Sequence, residues 1–111
     1  MLRDDTVYLA HIRDALRQIA TYTAGMNEDS FRENRLVQDG VIRQFEVIGE
    51  ATKNLSASFK EQHPAIPWKD LAGFRDKLIH HYFGVDISLV WRSVQDDLPL
   101  LNDALANIVT S

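Results

Sequence analysis

Apolar positions along this chain recur at intervals of three and four, and no stretch alternates residue by residue for long enough to form a strand. Leu9, Ile12, Leu16 and Ile19 fall on one face of a helix running from about Asp4 to Tyr22. Asp4 and Asp5 stand near its start, where carboxylates favour the positive end of the helix dipole. Gly25 to Asp29 reads as a turn, and Ser30-Phe-Arg-Glu33 as a capping box opening a short helix. Val41, Phe45, Ile48, Thr52, Leu55 and Phe59 predict a second long helix from roughly Asn34 to Lys60. Gly40 and Gly49 lie inside it, each costing about 1 kcal/mol relative to alanine; close approach of a neighbouring helix would account for Gly49. His63-Pro-Ala-Ile-Pro67 breaks the pattern, and Pro67 suits a first helical turn. Leu71, Phe74, Leu78 and Tyr82 or His81 carry a third helix that Gly84 ends. Asp86 caps a fourth, with its stripe on Ile87, Val90, Trp91, Val94, Leu98, Leu101, Leu105 and Ile108. Pro99 is expected to kink it, because the proline ring clashes with the carbonyl of Gln95. The expectation is an all-α fold, an antiparallel four-helix bundle with one short extra helix.

Composition narrows this picture without redirecting it. The 111 residues predict one domain over 1–111, and 45% apolar with 25% charged residues is the balance of a chain that buries a core. With no cysteine there is no disulfide framework, thiolate metal site or catalytic thiol, which fits a cytoplasmic location. The N-terminus, MLRDDTVYLAHIRD, is charged where a signal peptide needs an apolar core, and no apolar run approaches the ~20 residues of a membrane span. A net charge of -4 argues against a general nucleic-acid coat protein but leaves room for a local basic site.

The chemistry concentrates in FRDKLIHHYFGVD, Phe74 to Asp86. At about 100° per residue, Arg75 and His80 point about 140° apart on one helix, so they do not reach a single substrate atom by adjacency. A distortion of the helix near His80 would bring them together, as would two copies of the helix meeting across a twofold axis; the second requires no strain. Spacing alone also suits a solvated helix face, with histidines near a C-terminus where the dipole favours them.

Arg75-Asp-Lys-Leu-Ile-His80-His-Tyr82 has the form R-x4-H-x-Y and resembles the signature of HepT-like toxins in the HEPN superfamily. The resemblance extends to Phe45-Glu-Val-Ile-Gly-Glu-Ala51, Pro67-Trp68, Tyr82-Phe-Gly-Val-Asp86 running into Val90-Trp91, and Asp97-Leu-Pro99, so it covers essentially the whole chain. It implies an HEPN-like, dimeric helical fold and a toxin endoribonuclease that cuts RNA without a metal or other cofactor, the ribose 2′-hydroxyl attacking the adjacent phosphate. That chemistry needs a proton acceptor and donor near neutrality, which histidine supplies at about 6.5 unperturbed. It also needs a fixed cation at the phosphoryl oxygens, for which the planar guanidinium is better suited than an ammonium. Carried over by position, His80 is the acid/base, Arg75 the phosphate clamp, and Asp76, one turn before His80, orients the imidazole. Tyr82 is the residue to which a nucleotidyltransferase antitoxin of the MNT type would transfer AMP. The resulting phosphodiester anion would compete with RNA for the phosphate position. The implied partners are RNA, that antitoxin and a second copy of the chain, with larger hetero-oligomers also allowed. A tyrosine hydrogen-bonded across the dimer is the structural alternative for Tyr82, and the two roles are compatible.

Other residues carry less. His81 is read as structural or supporting, and Lys77 as a solvated lysine with a phosphate contact as the alternative. Glu46 and Glu50 share a helix face, but the Glu-x-x-His pairs of di-iron bundles and H-E-x-x-H are absent. His11 and His63 read as isolated surface groups, and Trp68 and Trp91 as core or interface anchors. The competing class is a non-catalytic helical subunit that binds a nucleotidyltransferase or a nucleotide.

Overall fold

A computed structural model describes residues 3–79 and 86–108, with side chains for 4–73 and 86–108. Its elements are α1 (Arg3–Thr23), α2 (Glu28–Glu33), α3 (Arg35–Asn54), α4 (Ala57–Gln62), α5 (Trp68–Ile79), α6 (Ile87–Arg92), a π-helical turn at Ser93–Asp97, and α7 (Leu98–Ala106). There is no strand among the described residues. Because α6, the π turn and α7 follow without interruption, the long elements among the described residues are four, as the periodicity predicts. Two short helices accompany them rather than one.

The core forms where the stripe of α1 meets that of α3. Leu9, Ile12, Ile19, Val41, Phe45, Ile48 and Thr52 are all excluded from solvent, and α6–α7 adds Val90, Val94, Leu98, Leu101 and Leu105. Gly25 ends the first hairpin arm with φ +75°, a conformation that side chains with a Cβ rarely adopt. The capping box that follows is displaced from the expected one. Asn27 is the cap and Ser30 its third helical residue, the Asn27 side chain accepting from the Ser30 N–H while the Ser30 hydroxyl accepts from the Asn27 N–H. Asparagine takes this place because it lies three residues before the only hydroxyl able to reciprocate in the turn.

The second long helix also departs from expectation, ending at Asn54 rather than near Lys60. Leu55 is extended, and Ser56 caps a separate α4 by accepting from the Phe59 N–H. The break is imposed from a distance. Asp5 is 2% exposed, and its carboxylate accepts from both the Ser56 N–H and the Ser56 hydroxyl, each at 2.7 Å. Leu55 and Phe59 remain buried, so the apolar rhythm persists across an interruption that it does not register. Asp5 thus does more than face the helix dipole: it ties the start of α1 to the α3–α4 corner. At the opposite end, the Tyr22 ring lies against Gly40, where a Cβ would come within 3.2 Å of it. This close approach falls at Gly40, where none was expected; Gly49, where one was, is buried.

The fourth long element begins as predicted, with the Asp86 carboxylate accepting from the Leu89 N–H at 3.2 Å. Its expected kink takes the form of the π turn. The Leu98 N–H donates to the Ser93 carbonyl, five residues back, just before Pro99, which has no N–H and would crowd the Gln95 carbonyl in a regular α-helix. The element returns along α1, where Arg13 donates to the Leu105 and Ile108 carbonyls at 2.9 and 2.8 Å. A cation there satisfies carbonyls that the helix end leaves open.

Candidate functional site

α5 is the element on which the sequence places its chemistry, and its beginning is firmly set. Trp68 is buried, its ring 5.8 Å from Phe59 and its indole N–H donating to the His63 carbonyl at 3.0 Å. The Pro67 carbonyl accepts the first bond of the helix, from the Leu71 N–H at 3.1 Å. Leu71 is buried, and α5 packs against α3. The helix continues through Ile79, so Arg75 and Asp76 both stand on α5, beyond the side chains described. His80, His81, Tyr82 and Gly84 lie outside the described residues.

The chain on the far side of the motif is fixed as well. Asp86 caps α6, Trp91 packs on Phe31 at a ring separation of 5.1 Å, and the Arg32 guanidinium donates to the Ser88 hydroxyl. Arg32 also faces Glu28 at 3.9 Å. These contacts hold α6 against α2, and Trp68 and Trp91 are both packing anchors, as expected.

Among the described residues, a gap lies between the start of α5 and the α6–α7 element. A groove of about 750 Å³ runs there, with Leu71 and Leu101 in its floor, Gly73 and Lys69 on the α5 side, and Asp97 and Leu100 on the other. The π turn divides the exposures of its own residues. Ser93 and Asp97 line this groove, whereas Val94 and Gln95 line a second one against α1.

The remaining candidates separate clearly. His11 is exposed, edge-on to Tyr8 at 6.2 Å, above a shallow depression shared with Arg43, Glu46 and Glu50. Glu46 pairs with Arg43 at 3.5 Å. His63 differs from expectation: it is half-buried, its ring 4.9 Å from Phe59, because the α4 end folds back over that phenylalanine. Among the described residues, no three His, Cys, Asp or Glu side chains gather as metal ligands. Nor is any helix among them long and apolar enough to cross a membrane. Sequence reasoning missed Asp5, Arg13 and Gln38 as structural polar groups. Gln38 is buried, its amide donating to the Phe31 and Arg32 carbonyls at 2.8 Å each. For Asp5 and Arg13 no local signal exists, since their partners lie 51 and at least 92 residues away.

An all-helical bundle whose α5 carries Arg75 and Asp76, the first residues of the motif, defines a class, and comparison with known proteins supplies the family. The family model described as "Ribonuclease HepT-like" matches residues 12–108, a span that includes Arg75, Asp76, His80 and Tyr82. A protein of Methanocaldococcus jannaschii whose name couples gamma-glutamylcyclotransferase with RNase is 44% identical over 98% of this chain, which spans 49% of that protein's length. A protein of Thermococcus cleftensis named "Probable ribonuclease HepT" is 44% identical over 91% of this chain and 92% of its own length. A protein of Caldanaerobacter subterraneus with RNase in its name is 36% identical over 92% of this chain and 91% of its own. No solved structure matches. The chain belongs to the HepT-like ribonuclease family.

Proposed function

We propose that this protein is the toxin of a toxin–antitoxin pair, a metal-independent endoribonuclease whose site is completed between two copies of the chain. The observation that carries the proposal is the match of the family model across residues 12–108, with R-x4-H-x-Y standing intact on α5 and the residues that follow it. His80 removes the proton from a ribose 2′-hydroxyl, whose oxygen forms a bond to the adjacent phosphorus as the bond to the 5′-oxygen breaks. The 5′-oxygen leaves with a proton from an acid in the site, giving a 2′,3′-cyclic phosphate and a 5′-hydroxyl. Arg75 holds the phosphoryl oxygens, where its fixed fork opposes the charge that builds up. Asp76 orients the imidazole. The antitoxin, a nucleotidyltransferase, silences the site by moving AMP from ATP to the Tyr82 oxygen, with release of pyrophosphate. The anion so added occupies the phosphate position and repels RNA.

Cleavage of RNA in the presence of a chelator tests the reaction. His80→Ala is expected to lower the rate by about 10²- to 10⁴-fold; equal cleavage by both preparations would mean that the activity is not this protein's. Mixing tests the shared site. Arg75→Ala and His80→Ala chains, each inactive alone, form heterodimers in which one of two composite sites keeps both groups, so activity returns on mixing. A site confined to one chain gives no recovery. The second reading is a non-catalytic subunit that binds a nucleotidyltransferase. The net charge of -4 favours it, because a polyanion gains nothing from an acidic surface. Absence of metal-independent cleavage, with AMP still found on Tyr82 by mass spectrometry after co-expression with the antitoxin, would select it.

A further inference from the structure

We propose that the groove between α1 and the π turn with α7 is a binding site for an adenine nucleotide, Gln95 reading the base and Arg17 holding the phosphate. The site lies across the α6–α7 element from the groove beside α5 and does not depend on the reaction at Arg75 and His80.

The groove encloses about 450 Å³, within the roughly 300–1,000 Å³ of small-molecule sites. Leu16, Val94 and Leu98 form its floor, all three belonging to the buried core. Its far wall is made by the π turn, which turns Val94 and Gln95 toward α1. Such widened turns recur at functional sites. Arg13, one turn before Arg17, donates to the Leu105 and Ile108 carbonyls, which places Arg17 at the Asn102 end of the groove. Gln95 stands at the other end, roughly 10 Å along the helix from Asn102. A nucleotide covers such a distance from the edge of its base to its 5′-phosphate.

Charge and hydrogen-bonding groups select the ligand. Asp70 and Asp97 line the groove beside α5, and Glu46 and Glu50 the depression at His11. Among the described residues no carboxylate lines this groove, and Arg17 supplies a cation. Asp14 meets Arg17 from outside at 3.6 Å, an exposed pair of the kind that contributes little and leaves guanidinium donors for an anion. Gln95 and Asn102 are exposed and hold no hydrogen bond among the described residues, so their amides are open to a ligand. A side-chain amide donates and accepts at once, which matches the N6 and N7 edge of adenine. Guanine shows two acceptors there and calls for a guanidinium, which stands at the opposite end; cytosine calls for a carboxylate. The apolar floor, with Pro99 beside it, takes the faces of the base.

Titration of the full chain with AMP, followed by proton–nitrogen NMR spectra, tests the site. AMP is expected to shift the side-chain amide signals of Gln95 and Asn102. It is expected to bind about tenfold or more tightly than GMP, the discrimination of one two-bond base contact. Gln95→Leu is expected to erase that preference. Arg17→Ala is expected to weaken AMP by about tenfold while leaving adenosine, which has no phosphate, unchanged. Both positions are exposed, and circular dichroism checks that the fold is kept. An adenosine within an RNA strand presents the same chemistry as the free nucleotide. A deoxyadenylate octamer, which has no 2′-hydroxyl to attack, separates the two sources. Shifts at Gln95 with AMP alone assign the groove to a free nucleotide, and shifts with the octamer assign it to a strand. Equal binding of AMP and GMP overturns the proposal, as do shifts confined to signals outside this groove. An Arg17→Ala chain that binds AMP as the parent does also overturns it.

Discussion

The two sides of α3 are built differently. Towards α1, two long apolar stripes interlock along their whole length and are tied at one end, where Asp5 holds Ser56. Beyond α3, α5 is anchored at its start by Trp68 and Leu71, and an open groove separates it from α6–α7. The first side is closed along its apolar stripes and opens only in the shallow depression at His11, Arg43 and Glu46; the second, among the described residues, keeps a groove beside Lys69 and Gly73. Among the described residues the longer buried seam is that of α1 with α3, while the start of α5 borders a groove. This division makes sense if the function depends on what arrives at α5 from outside.

Deleting part of the α1–α3 seam puts the largest strain on this contrast. Ile12 is fully buried there, and Ile12→Ala is expected to cost about 2–5 kcal/mol, a large share of the roughly 5–15 kcal/mol typical of a domain. Urea unfolding measures the loss, while RNA cleavage per folded molecule stays at the parent level. A loss below about 1 kcal/mol would mean that the seam collapses around the cavity and is not the stabilising half.

Asp5→Ala comes next. It removes the acceptor of two hydrogen bonds and leaves the Ser56 N–H without its partner at a half-buried corner. Loss of a charged acceptor from such a site costs about 1.5–3 kcal/mol. Hydrogen exchange should show the extra opening at the α3–α4 corner and not along α6–α7. Uniform acceleration across the chain would show that the tie holds the whole bundle rather than one end of it.

Asp5 also marks the limit of what could be read from the chain beforehand. Among the described residues apolar period located most core positions, including Leu55 and Phe59 but not Phe31 or Ile66, because burial follows the distribution of side chains around an axis. It did not locate the helix break between them, because a carboxylate 51 residues away causes that break. The same holds for the displaced capping box, where Asn27 and Ser30 exchange hydrogen bonds in a register that the residue types alone leave ambiguous. Pro99 was legible as a disturbance, but not as a widened turn that faces Ser93 and Asp97 into one groove and Val94 and Gln95 into another. For the site, the family was legible from the motif, while the roles of Arg75, Asp76, His80 and Tyr82 are part of the proposed function. The groove beside α5 was not, since periodicity describes what each helix buries and is silent on how far two helices stand apart.

Two glycines give the smallest effect and the finest comparison between the halves. Each sits within a helix, where alanine is preferred by about 1 kcal/mol. At Gly73 the added methyl meets nothing within 4 Å, so Gly73→Ala should realise nearly all of that gain in the monomer. At Gly40 it would meet the Tyr22 ring at 3.2 and 3.3 Å. Tyr22 is 37% exposed near the end of α1, so its ring can yield by a few tenths of an ångström and reduce the gain without reversing it. Gly40→Ala should therefore stabilise by only a few tenths of a kcal/mol, and by close to the full ~1 kcal/mol once Tyr22→Ala has removed the ring. The two backgrounds together form a double-mutant cycle, read by denaturant unfolding at concentrations below dimer association. Equal gains at both glycines in the parent background would mean that the α1–α3 seam is as slack at Tyr22 as α5 is at its open flank, and the contrast between the two halves would then fail at this end of the bundle.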